Sequence, residues 1–239
     1  MGLRHTILCA IVVAAVGLSA RATPEPNPIP SAWELSLEPS LPMRINVDGR
    51  DYWYMLYTVT NNTGQDIDFL PEIVRVNEID TELPEEKVSQ QPTAAPTVTV
   101  DPAIVGVSAR VYQAIAQRHA KTHPFLVTPV QAIGRLLQGR DNARSSVAVF
   151  PALDPRVSNF TFYFGGLSGE KIIRPNPAYD ATKAASRGGQ SNGHGGDDES
   201  NPKLFVLRKT LAIPYTLPGD VRTRANAQPV LGRMTWVMR

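Results

Sequence analysis

Hydrophobic and polar side chains alternate with a period of two along most of this chain, and nowhere more clearly than over residues 51–60, DYWYMLYTVT. Trp53, Met55, Tyr57 and Val59 fall on one face and Thr58 and Thr60 on the other, the spacing of a half-buried β-strand. Asn61, Asn62, Thr63 and Gly64 follow, residue types that tolerate the positive φ of tight connections. The pattern predicts a hairpin whose return arm runs through Ile67, Phe69 and Leu70 to about Val76, with Pro71 at a bulge or an edge.

The same period predicts further strands on both sides. Trp33, Leu35 and Leu37 alternate with Glu34, Ser36 and Glu38 until Pro39 ends the run, and Met43, Ile45 and Val47 lead into an Asp48-Gly49 turn. These two strands and the central one suggest a meander. Later, Phe160, Phe162 and Phe164 share a face before Gly165-Gly166, and aromatic residues at this spacing belong in a core. Phe205, Leu207, Leu211, Ile213 and Tyr215 share another, interrupted by Lys209. A last strand over 230–238 places Met234, Trp236 and Met238 together.

One helix stands out, from a Ser108 cap to about Ala120, with Val111 and Ile115 beside Tyr112 and Ala116 on the side that would cover a sheet. Residues 129–151 read in two ways. Thr128-Pro129 and Gly139 can bound a short helix, whereas the preferred reading is a strand to Leu137, a polar turn over 139–145 and a strand through Val147, Val149 and Phe150.

Two stretches break the pattern. Residues 78–107 carry acidic residues, glutamines and prolines, and 180–203 include SRGGQSNGHGGDDES, which has too little apolar surface to offset the entropy of ordering and is expected to be disordered and protease-sensitive. The expected architecture is mainly β: an immunoglobulin-like antiparallel β-sandwich over residues 32–239, with one covering helix and these two long polar insertions.

The first residues change how composition is read. Arg4 and His5 precede an uncharged run of 13 residues over 6–18, and Ala20-Arg21-Ala22 has small residues where a signal peptidase reads. Residues 1–22 are expected to be a signal peptide and 23–31, TPEPNPIPS, a proline-rich linker. The run is short of the roughly 20 residues that span a bilayer, and no transmembrane span is expected in the mature chain. Cys9 is the only cysteine, so cleavage leaves no disulfide and no cysteine metal site. Loss of Arg4 and Arg21 leaves 22 basic against 22 acidic residues, which removes any global charge argument for nucleic acid.

Candidate chemistry is sparse. His119 and His123 in HAKTH have the i,i+4 spacing of two zinc ligands on one helical face, but Ala120 stands where a metalloprotease has its general-base glutamate, and Pro124 ends the helix nearby. His194 and the carboxylates of Asp197, Asp198 and Glu199 lack the regular oxygen spacing of a calcium loop. No GxSxG or SxxK motif is present, Ser145 and Ser146 have no nearby histidine, and Glu85 and Glu86 lie in a polar loop that would not raise a carboxyl pKa. Arg208, Lys209, Arg222, Arg224, Arg233 and Arg239 could form a basic stripe or divide between faces and edges. Asn61 and Asn159 fit the glycosylation acceptor pattern at positions where a turn or a strand start expects such residues anyway. Tyr52, Tyr54 and Leu56 point away from the core face, so they form an aromatic contact surface unless the helix or the first insertion covers them. Cover by the helix or the insertion is the favoured outcome.

The order of YTVTNNTG, GRLLQGRDNARSSVAVFP, FTFYFGGLSG, RKTLAIPYTLPGD and WVMR resembles uncharacterised secreted proteins of planctomycete-type bacteria and, more remotely, small secreted immunoglobulin-like domains of bacterial envelopes. The resemblance implies a fold and an export route and carries no catalytic residue. The expected function is a non-enzymatic, exported structural or protein-interaction module of the cell envelope, with no cofactor and with an envelope protein or polysaccharide as partner. A small-ligand or glycan-binding protein using the Tyr52 and Tyr54 face is the alternative, and a metal-assisted hydrolase through His119 and His123 a distant third.

Overall fold

The computed structural model describes residues 24–79, 97–180 and 201–239. Residues 1–22, expected to be a signal peptide, residues 80–96 with Glu85 and Glu86, and the low-complexity stretch with His194 lie outside the described residues. Two antiparallel sheets face each other. In the first, β3 (Arg50–Thr60) is paired along one edge with β1 (Ser36–Pro39) and β2 (Met43–Val47) and along the other with β8 (Arg144–Pro151). The second has the order β10 (Lys171–Pro175), β11 (Leu204–Thr216), β9 (Val157–Gly165), β5 (Glu72–Ile79), β6 (Thr97–Pro102), and β12 (Val230–Leu231) and β13 (Thr235–Met238) also pair with β11. A short pair, β4 (Ile67–Phe69) and β7 (Gly134–Leu136), lies apart from both.

The aromatic alternation read from the sequence builds the contact between the sheets. Tyr57 meets Phe164 edge-on with ring centroids 5.0 Å apart, Phe150 lies 4.8 Å from Phe162, and Trp53 lies 5.8 Å from Phe160. Each ring buries well over 100 Å² of largely apolar surface, and truncating one to alanine in such a core costs about 3–5 kcal/mol. The other face of β3 is covered as well. Helix α1 (Ala109–Arg118), capped by Ser108 accepting from the Val111 amide, packs Val111 and Ile115 into a second apolar cluster with Tyr54, Leu56, Val147 and Val149. This explains why the five residues at the centre of β3, Trp53 to Tyr57, are all buried: a strand with cover on both faces hides both sets of side chains. Among the described residues no helix is long and apolar enough to cross a membrane.

Several sequence expectations are corrected. Strand β3 does not form a hairpin with the chain that follows it: β4 pairs with β7 and β5 with β9, so the 61–66 connection leaves the first sheet. The buried Asn61 causes this, because its Oδ1 accepts from the Thr63 amide (3.1 Å) and its Nδ2 donates to the Gln65 carbonyl (2.8 Å) and to the Leu136 carbonyl (2.9 Å). The meander gives way to a two-strand hairpin: Asp48 and Gly49, at φ 52° and 77°, make the tight β2–β3 turn, but β1 pairs with β3 alone. Residues 129–138 contain both predicted elements, a one-turn helix α2 (Pro129–Ala132) with a Thr128–Gln131 capping box and then β7, and β7 does not pair with β8. The first insertion is shorter than the pattern suggests, since β5 runs to Ile79 and β6 begins at Thr97. The last strand is split in two, with Gly232 donating to the Pro214 carbonyl (2.8 Å) at the break.

Candidate interaction surface

The residues singled out by sequence come together, but under cover. Tyr54 and Leu56 are 0% and 1% exposed beneath α1, and Tyr52 is half-buried, so this row presents no open aromatic surface. The helix and residues 104 and 107 supply the cover, as Ile104, Val107, Tyr112 and Ala116 pack against the same cluster. The Tyr54 hydroxyl lies 2.9 Å from His119 Nε2, donates to Met43 Sδ (3.7 Å) and accepts a long bond from Arg118 Nη1 (3.4 Å). Burial, then His123 and Arg118, hold the His119 pKa below its ordinary value. The His119 and His123 rings are 6.1 Å apart, and among the described residues no group of three or more His, Cys, Asp or Glu side chains could hold a metal.

Other candidates are occupied structurally. Ser145 Oγ bonds Thr58 Oγ1 (2.8 Å) and the buried Ser146 hydroxyl donates to the Val127 carbonyl (3.0 Å). Asn61 is fully buried, which closes it to glycosylation, and Asn159 accepts from Thr216 Oγ1. The C-terminal cations divide: Lys209 is buried, Arg224 lies beside the 220–223 turn, and Arg233 is exposed between β12 and β13.

Sequence reasoning passed over a surface that is both apolar and open. Strand β11 is 13 residues long, and only its second half lies against β9. Its first half, 204–208, pairs with β10 in the register Lys171↔Arg208, Ile172↔Leu207, Ile173↔Val206, Arg174↔Phe205 and Pro175↔Leu204. The ladder continues past Pro175, where Asn176 donates through its amide to Lys203 and through Nδ2 to Pro202, and Asn201 makes two bonds with the Asp180 backbone. This two-stranded ribbon exposes Ile173, Leu204, Phe205 and Val206 at 42–55% of their surface. Opposite residues share a face, so Ile173, Val206, Leu204 and Pro175 form one apolar face and Phe205 the centre of the other.

Charge on the paired strands of the ribbon has one sign. Lys171, Arg174, Lys203 and Arg208 are exposed, and residues 171–175 and 203–208 hold no carboxylate. Arg239 extends the cationic rim at its root, its guanidinium 4.3 Å from the Tyr163 ring and its backbone bonded to Arg208. The root is fixed. Lys209, 2% exposed, places Nζ 3.0 Å from Glu34 Oε2 and 3.2 Å from Glu170 Oε2, while its amide donates to the Glu170 carbonyl (3.0 Å). Burial opposes the Lys209 charge, but the two carboxylates outweigh it and raise the pKa, and the Asn27 amide bond, despite burial, leads the effects that lower that of Glu170. The sequence signal for the ribbon was KIIRP opposite LFVLR, two short apolar runs with like charges either side of a polar insertion.

No protein-family model matches the chain, and neither a curated protein nor a solved structure matches it.

Proposed function

We propose that this chain is an exported, non-enzymatic protein-interaction module of the cell envelope, and that the β10–β11 ribbon docks a partner protein carrying an apolar patch rimmed by carboxylates. The observation that carries the reading is a cationic ribbon holding four exposed large apolar side chains on a root fixed by a buried ion cluster. Exposed apolar residues grouped together mark contact surfaces, and arginine with aromatic residues is enriched where proteins meet. Charge of one sign selects a partner of the other sign and speeds encounter. The leader over 6–18 with Ala20-Arg21-Ala22 supports the export route.

A partner added as a further strand on β10 is disfavoured. Pro175 lacks an amide proton and Lys171 and Arg174 stand on this short edge strand, features that discourage strand pairing. A lipid surface is disfavoured too, because on an edge strand alternate backbone groups point away from β11, and hydrocarbon leaves such groups unsatisfied.

The test is capture from envelope fractions by the chain beginning at Thr23, beside an Ile173→Ser/Val206→Ser variant and a Lys171→Glu/Arg174→Glu variant with unchanged thermal melts. The expected result is a protein retained by the unaltered chain, released near 1 M salt, where screening acts within about 3 Å, and lost in both variants. Retention unaffected by either variant, or binding of all three only to phosphatidylglycerol vesicles, overturns the reading.

A further inference from the structure

We propose that the cleft between β2, the last turn of α1 and residues 226–229 binds a small organic carboxylate with an apolar body. The cleft is independent of the ribbon and holds about 440 Å³, within the roughly 300–1,000 Å³ of small-molecule sites. Leu41, Met43 and Pro229 supply apolar wall, Asn226 and Gln228 amides, and Arg44 and Arg118 the only charges among its lining residues.

Both guanidinium groups are held in place by uncharged partners. Arg44 lies 4.5 Å over the Trp53 ring and its Nη2 donates to the Arg224 carbonyl (2.9 Å), while Arg118 Nη1 donates to the Arg44 carbonyl (2.9 Å) and to the Tyr54 hydroxyl. Neither forms an ion pair among the described residues. The nearest acidic influence on Arg44 is Asp51, which lines the adjoining cleft of about 390 Å³ and accepts from Asn46 Nδ2 (2.7 Å). A guanidinium presents five N–H groups in a fixed fork, and here one nitrogen of each is used by the protein, so the remaining donors are pre-positioned for a carboxylate. Pre-positioning lowers the ordering cost of binding. The apolar wall makes a bare inorganic anion a poor fit, since it would leave that surface unused.

The experiment is a two-dimensional amide NMR titration of the full chain with 3-phenylpropionate, with 3-phenylpropanol and inorganic phosphate as comparisons. Saturable shifts at Arg44, Gln228 and the Trp53 indole are expected with the carboxylate. Arg118→Gln is expected to weaken binding about tenfold, the loss typical of one charge-assisted hydrogen bond. Arg118 is exposed, so the fold should survive this change, and a thermal melt checks it; Arg44→Gln gives a second reading of the same effect. The proposal is overturned by an absence of saturable shifts, by equal affinity for the alcohol, by equal affinity for phosphate, or by unchanged binding in both variants.

Discussion

The Asn61 side chain donates to the Leu136 carbonyl at 2.9 Å, joining the turn after β3 to a strand 75 residues further along. That bond is buried and one of four the side chain makes with Gln65, Leu136 and Thr63. Asn61→Ala is therefore expected to lower stability by about 2–4 kcal/mol, because a buried carbonyl loses its donor and a turn loses its clamp. Asn61→Asp should do at least as much harm, since it sets a carboxylate against that carbonyl. Urea unfolding measures both, and a change below about 0.5 kcal/mol in Asn61→Ala would show the clamp to be dispensable.

Why the hairpin expectation failed follows from the same residue. NNTG after a strand reports that the chain turns, and local spacing says nothing of which strand it joins next; the bond to Leu136 is non-local. By contrast, the faces of β3 and β9 were legible, because a period of two assigns Trp53, Met55, Tyr57, Phe160, Phe162 and Phe164 to one side whatever the pairing. The Ser108 cap and the apolar side of α1 were legible for the same local reason. The surface was not. Lys209 looked like an interruption of an apolar face and is instead buried between Glu34 and Glu170, whereas cover over the Tyr52–Leu56 row was the favoured expectation and α1 with residues 104 and 107 supplies it. The short apolar run of β10 was too brief to separate from loop without its partner, and 204–207, legible as strand, did not show that β10 pairs with it.

Gly166 tests the crossing of β9 over the joint between β4 and β5. Its φ is +81°, and a Cβ there would overlap the Leu70 carbonyl oxygen. Gly49, at φ +77°, has open space where its Cβ would be. Gly49→Ala should thus report backbone strain alone, about 1 kcal/mol, and Gly166→Ala should exceed it by about 2 kcal/mol or more through the overlap with backbone that cannot rotate away. Equal losses in chemical denaturation would mean that the crossing relaxes freely.

His119 gives stability a pH dependence with a definite sign. Its folded pKa is below the ordinary value of 6.5, so near and below that value the unfolded chain binds more protons than the folded one. Stability should fall as pH drops through 6.5 and level off only below the folded pKa. His119→Gln, which keeps a neutral hydrogen-bonding group beside the Tyr54 hydroxyl, should flatten this part of the Tm profile. A Tm profile between pH 7.5 and 5 that is the same in both proteins would remove His119 as its source.

The buried cluster at the ribbon root predicts the largest electrostatic effect. The folded pKa of Glu170 is lowered from its ordinary 4.5, so its stabilisation is present above that value and lost as pH falls through the folded pKa. Lys209 is raised above 10.5, so its stabilisation is present below that value and lost as pH rises through the folded pKa. Lys209→Met leaves Glu34 and Glu170 facing each other without their cation, and removing one partner of a buried ion cluster costs about 3–5 kcal/mol. The loss should shrink towards pH 4, because Glu170 then protonates in the variant and the repulsion disappears. Adding Glu34→Gln and Glu170→Gln to Lys209→Met should recover part of the stability at pH 7, because the two neutral amides no longer repel each other and Gln at 170 can still accept from the Asn27 amide. Thermal melts of the single and triple variants at pH 7 and 4 decide this: a pH-independent loss, or a triple variant no more stable than the single one, would mean that Lys209 acts through its packing on Trp236, whose ring lies 5.2 Å from Nζ.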